Sequence, residues 1–252
     1  MTGPRPIDWE VLLDRLSEQY RTGDWRVPYL RDHAIDPFQV LIGTILSQRT
    51  RDEATDVASA RLFRAFPDAS RLARAPVSAI ERRIRGTGFY HTKARTVRAC
   101  ARELLERFHG EVPRDLELLM TLPGVGPKTA NCVLVFGYGL PGMPVDTHVH
   151  RISNRLGVVA TRHPEETEAE LRRVIPARYW LSINPLLVQH GQNLCRPIRP
   201  KCPECPIREY CATGMSTSAG RVRVGRATAR PSRPRRARGA RPGRRGASAG
   251  RP

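Results

Sequence analysis

Apolar residues recur along this chain with helical spacing almost from its start. Trp9, Leu12, Leu13, Leu16 and Tyr20 fall at i, i+3, i+4, i+7 and i+11, one face of an amphipathic helix. Val97, Cys100, Ala101, Leu104, Leu105 and Phe108 repeat that pattern. Residues 38–46 are apolar nearly all round, which predicts a helix buried on most sides. Further helical patterns cover residues 52–66, 76–85, 115–121, 127–137, 147–156, 164–175 and 179–190. No stretch alternates polar and apolar residues for long enough to argue for a sheet. The expected fold class is all-α.

Composition changes this picture at one end. Of 252 residues, 43 are basic and 24 acidic, a formal net charge of +19, and the 40% that are hydrophobic suffice for a core. Twelve arginines lie in residues 213–252, a stretch with no acid and no aromatic, filled with Gly, Pro, Ala and Ser. Such a segment buries too little apolar surface to offset its ordering entropy, so a disordered tail is expected. It either solubilises the chain or attracts phosphates without regard to sequence. Setting the tail aside leaves +7 on residues 1–212, so the folded part is basic in its own right.

The longest apolar stretch, residues 131–145, is broken by Gly137, Gly139, Pro141 and Gly142 and does not suit a membrane span. Residues 1–8 lack a basic segment followed by an apolar run, so no secretory signal is visible. These features lead us to expect a cytoplasmic, nucleoid-associated monomer whose partner is a polyanion, nucleic acid first. Arginine outnumbers lysine so heavily that only Lys93, Lys128 and Lys201 are lysines. A lysine in such a chain marks a place where arginine would not serve, because an amine can lose its proton and attack.

One of the three stands in a distinctive string. Residues 122–130 read LPGVGPKTA, between two helical patterns. Gly124 and Gly126 permit positive φ and a tight reversal, and Pro127 fits the first turn of the next helix. The expected product is a helix, a short hairpin through Gly124, Val125 and Gly126, and a second helix whose free N–H groups grip phosphate without reading bases. Lys128 sits in the first turn of that second helix. A loop then has room to return the chain, so Asp146, eighteen positions on, is able to face the same cleft. Asp146 precedes Thr147-His148-Val149-His150 and also fits an N-cap, and the two roles are compatible.

Cys195, Cys202, Cys205 and Cys211 give C-x6-C-x2-C-x5-C, with Pro197, Pro200, Pro203 and Pro206 bending the chain between them. Sulfur alone does not separate zinc from iron–sulfur, although zinc sites more often pair two C-x2-C units. Crowding of four cysteines here, with Cys100 and Cys132 alone in helical patterns as small core residues, suits a metal site better than disulfides.

LPGVGPKTA, the run from Val145 to Arg151 and the cysteine cluster together resemble the endonuclease III family of helix-hairpin-helix DNA glycosylases, over about residues 8–212. The resemblance implies two helical lobes flanking a DNA cleft: a barrel-like lobe of residues 30–140 ending in the hairpin helix, and a cluster lobe of residues 1–29 and 141–212. It implies a [4Fe–4S] cluster on the four cysteines, Lys128 as nucleophile and Asp146 as its acidic partner. The implied partner is duplex DNA carrying damaged bases or abasic sites, and the implied reaction is excision of oxidised pyrimidines followed by β-elimination at the abasic site.

The chemistry needs these residue types. Breaking an N-glycosidic bond builds positive charge on the sugar, which a fixed carboxylate stabilises. A neutral amine then forms a Schiff base and lets the 3′ phosphate leave. A free lysine is only ~0.1% neutral near pH 7.4, and a cationic or dry cleft is expected to raise that fraction. Where the family has a small residue and then Gln to fill the gap left by a flipped base, this chain has Gln48 and Arg49, and either is a candidate. Lys93 follows the turn Gly86-Thr87-Gly88 and reads as a phosphate contact or a solvated side chain, as does Lys201 within the cysteine loop. Two rival readings remain: a non-catalytic hairpin module, and a monofunctional mismatch glycosylase. His148 and His150 lack an evident third ligand and are expected to pack or to contact phosphate.

Overall fold

The computed structural model describes residues 5–21 and 36–216. Among them every regular element is helical, with only one isolated bridge, between Arg85 and Thr87. The all-α expectation holds. Helix α1 spans Trp9–Arg21, and its predicted apolar face, Leu12, Leu13, Leu16 and Tyr20, is buried. Helix α2, Pro37–Ser47, is capped by Asp36 and buries seven of its eleven residues, as an all-round apolar run must. There follow α3 (Asp52–Ala65), α4 (Ala69–Arg74), α5 (Val77–Ile84), α6 (Tyr90–Phe108) and α7 (Leu116–Met120). Helix α8, Pro127–Cys132, runs on through a π-turn, Val133–Gly137. Helices α9 (Thr147–Leu156), α10 (Pro164–Val174), α11 (Trp180–Asn193) and the short α12 (Ala212–Ser216) complete the chain.

Buried apolar residues fall into two clusters. One is built from α2 to α8 and centres on Leu41, Ile42, Leu46, Leu62, Ile80 and Leu104. The other joins α1 to α9, α10 and α11 through Leu12, Leu16, Val149, Ile152, Leu171 and Ile183, with three of the loop cysteines packed against it. Arg15 ties α1 to the cysteine loop by bonding Glu209 and the Pro206 carbonyl.

Three differences from the sequence reading have physical causes. Helix α4 was not foreseen, because its six residues carry two arginines and bury only Ala69, Leu72 and Ala73. Helix α6 begins at Tyr90, well before the apolar face that starts at Val97; its first buried residue is Lys93, which breaks the apolar pattern. Helix α12 takes in residues 213–216 of the stretch read as tail. Its Gly214 is buried, with the backbone N–H of that glycine donating to Cys211 Sγ at 3.2 Å. Residues 217–252, the rest of that stretch, lie outside the described residues. No helix among the described residues is long and apolar enough to cross a membrane.

Candidate active site

Helix α7 is capped by Asp115, and the chain reverses through Leu122 to Gly126 before Pro127 opens α8. Val125 N–H donates to the Leu122 carbonyl at 3.2 Å and closes the turn. Gly124 has φ of +79°, and a Cβ there would stand 2.4 Å from Thr96 Cγ2, so glycine is required twice over. Gly126 is different. Its φ is −104°, and a Cβ would meet nothing within 4 Å, so the positive φ expected there is not needed. Gly126 is exposed at the N-cap of α8. Val125 turns its side chain into the core, so only its backbone faces outward.

Lys128 and Asp146 line one cleft of about 160 Å³, together with Asp52, Asp56, Cys132 and His148. Buried Asn131 braces the cleft. Its Oδ1 accepts from Met143 N–H at 2.9 Å and from Arg172, while its amide donates to the Pro127 carbonyl and to Glu168. Asn184 holds the Pro144 carbonyl at 2.9 Å. The returning loop is thereby fixed to both α8 and α11, and Asp146 arrives beside Lys128. Asp146 caps α9 as well: its Oδ1 accepts from the N–H groups of His148 and Val149 at 2.9 and 2.8 Å.

The charge around Lys128 corrects the expectation of a cationic cleft. No arginine lines it. The lysine is held above its ordinary value, first by the sulfur of Cys132 one turn away, which attracts the ammonium when ionised and accepts a hydrogen bond from it, then by Asp146 and Asp52, against the opposing effect of burial. Burial in turn pushes the Cys132 thiol up. Cys132 is buried as foreseen, but its place beside Lys128 was not read from the sequence.

Lys93 is turned inward, against the reading of a solvated side chain. Its side chain is buried, at 6% exposure, and its ammonium donates to the carbonyls of Leu46 and Gln48 at 2.6 Å and to Thr50 Oγ1 at 2.7 Å. Burial lowers its pKa to about 8. The lysine satisfies the last carbonyls of α2 and holds the 48–51 loop. Lys93→Met should therefore cost about 2–4 kcal/mol of stability, read by denaturant unfolding, while leaving the salt dependence of DNA binding unchanged. Lys201 is exposed, 3.5 Å from Glu204.

Gln48 and Arg49 have different surroundings. Gln48 donates to the Gly124 carbonyl at 3.0 Å and is fastened to the hairpin. Arg49 has φ of +52° and lies 5.9 Å over the ring of Phe89. Phe89, also left-handed at φ +57°, is 65% exposed. Sequence reasoning missed it, because one aromatic after a Gly-containing turn looks like a core residue.

The four loop cysteines line a common cavity, and none is in a disulfide. No three His, Cys, Asp or Glu side chains among the described residues converge on a single-ion site. A [4Fe–4S] cluster is larger than one ion and needs its thiolates spread around a cavity. Polar hydrogens already face the sulfurs. Arg155 reaches Cys195 Sγ at 3.3 Å, and His190 Nε2 lies 3.5 Å from Cys205 Sγ. His190 is buried, paired through Nδ1 with Tyr20, and kept neutral by a pKa lowered to about 4 by burial and then by Arg151. With Cys205 as a thiolate, Nε2 carries the hydrogen. His148 pairs with Arg151 and His150 with Thr167.

Residues 42–177 match the HhH-GPD superfamily of base excision DNA repair proteins. The endonuclease III of Thermotoga maritima is 47% identical over 188 residues, 75% of this chain and 88% of that protein. The Synechocystis endonuclease III is 39% identical over 182 residues, 72% of this chain and 83% of that one. Among solved structures, a trapped endonuclease III–DNA covalent intermediate superposes with a TM-score of 0.74 at 32% identity, covering 83% of this chain and 96% of that one. A non-covalent endonuclease III–DNA complex gives 0.73 at 32% identity, with 82% and 95% covered. The endonuclease III family carries an iron–sulfur cluster. Hairpin, cleft and relatives agree: this chain belongs to the endonuclease III family within the HhH-GPD superfamily.

Proposed function

We propose that the chain is a bifunctional DNA glycosylase and abasic-site lyase of base excision repair, acting on oxidised pyrimidines in duplex DNA. The observation that carries this reading is the meeting of Lys128 and Asp146 in one cleft beside the hairpin. Backbone N–H groups at Gly126 and the start of α8 hold a phosphate and orient the strand. Arg49 and Phe89 enter the duplex from one side and fill the space of the extruded nucleotide, with Gln48 stiffening the hairpin behind them. Asp146 stabilises the positive charge that develops on the sugar as the base departs. The Lys128 amine, its proton passed to a neighbouring carboxylate, bonds to the anomeric carbon. The nitrogen gives up a further proton to the ring oxygen as the C1′–O4′ bond opens, which leaves an iminium that acidifies the adjacent C–H, and loss of that proton expels the 3′ phosphate by β-elimination.

The same reading divides the chain into a lobe of residues 30–140 and a second of residues 1–29 with 141–212, supported by the two separate cores. Cys195, Cys202, Cys205 and Cys211 hold a [4Fe–4S] cluster that shapes the loop bearing Arg196, Arg199 and Lys201 toward DNA. Bound there, the cluster supplies a covalent staple for a segment with little core of its own.

A panel of duplexes, each with a single lesion, tests the function. Oxidised pyrimidines should be released and the strand nicked without alkali. Release with nicking only after alkali would mean a monofunctional glycosylase. Binding without release or nicking on any duplex would mean a DNA-binding module.

A further inference from the structure

The cleft holds a polar group that the proposed chemistry does not use. Asp52, Thr55 and Asp56 lie on the face of α3 turned to Lys128. Most polar side chains around them already have partners. Ser47 bonds the Thr44 carbonyl, Thr55 the Arg51 carbonyl, Asp52 accepts from Gln192, and Asn184 bonds Pro144. Asp56 does not share in this: its Oδ1 is buried with no hydrogen-bond partner.

A buried carboxyl oxygen without a partner is costly, and in a binding cleft it is explained by a ligand that completes it. The group that enters this cleft is an extruded base. On leaving the helix the base gives up its Watson–Crick partners, and its own polar edge must be satisfied again.

We infer that Asp56 recognises the extruded base, its carboxyl pairing with an adjacent C=O and N–H on the ring edge of a pyrimidine lesion. Burial, and then Asp52 and Glu53 nearby, push the pKa of this carboxyl up. Protonated, this carboxyl both donates to a carbonyl and accepts from an N–H, which a carboxylate cannot do. Substrates are then bases that keep a C(=O)–NH unit, as uracil-like and ring-saturated pyrimidines do. Asp56 would stand apart from Asp146, which faces the sugar, and would matter for excision more than for the lyase step.

This inference rests on the proposed glycosylase and lyase activity, and the test separates the two. Single-turnover excision of a ring-saturated pyrimidine is compared with cleavage of a preformed abasic site in wild type, Asp56→Asn and Asp56→Leu. Asparagine reproduces the donor and acceptor pair, whereas leucine removes both. The ratio of excision to abasic-site cleavage should fall at least about tenfold in Asp56→Leu, the usual penalty for an unpaired polar group on a bound substrate, and stay near wild type in Asp56→Asn. Equal loss in both reactions with leucine, or no better excision with asparagine, overturns the role of Asp56. A wild type that neither excises nor cleaves overturns the activity itself.

Discussion

Lys128→Ala is expected to abolish the covalent adduct that borohydride traps between the wild-type protein and lesion DNA. Cleavage at an abasic site should fall by at least about a thousandfold, because alanine offers no amine for Schiff-base formation. Duplex binding should persist, since the hairpin N–H groups stay in place. The surroundings of Lys128 add a direction. Cys132, Asp146 and Asp52 hold its proton above the ordinary lysine range, so the neutral fraction grows as pH rises and is small throughout neutral pH. Trapping by the wild type should therefore quicken with pH over about pH 6 to 9, up to the point at which another step limits the rate. A rate that falls over that range would place the nucleophile elsewhere. An adduct that survives in Lys128→Ala would do the same.

Cys205→Ala should produce the largest structural effect. The wild-type protein should be brown, and this variant should lose its visible absorption and more than about 4 kcal/mol of stability, because cluster binding energy is folding energy in such a loop. Damage should spread to α1, since Arg5 N–H bonds the Glu209 carbonyl and Arg15 reaches Glu209 and Pro206, so the helix leans on the loop. Thermal unfolding with iron and sulfide analysis checks this. A colourless wild type with one zinc per chain would replace the cluster by a zinc site.

Much of this architecture was legible in the sequence wherever one face of a helix is apolar. The spacing of Leu12, Leu13, Leu16 and Tyr20 located α1, and residues 147–156 became α9 with Asp146 as its cap. The hairpin was legible because Gly124 and Pro127 each impose a backbone state that few residues allow. Charged groups turned to the interior were not legible. Lys93 looks like any lysine in a helical stretch, yet it is buried against three acceptors supplied from more than forty positions away. For the same reason the charge around Lys128 was misjudged. Net charge describes the whole surface, whereas the cleft is lined by Asp52, Asp56 and Asp146, brought together from two distant segments. Phe89 escaped notice because sequence records an aromatic and not its exposure.

The brace at Asn131 has a kinetic consequence. Its four hydrogen bonds fix the returning loop and α10 to α8 before any DNA arrives, so the proposed nucleophile and its acid form a preorganised pair. Binding energy from the duplex then goes into bending the strand and extruding the nucleotide, and not into assembling the machinery that receives it.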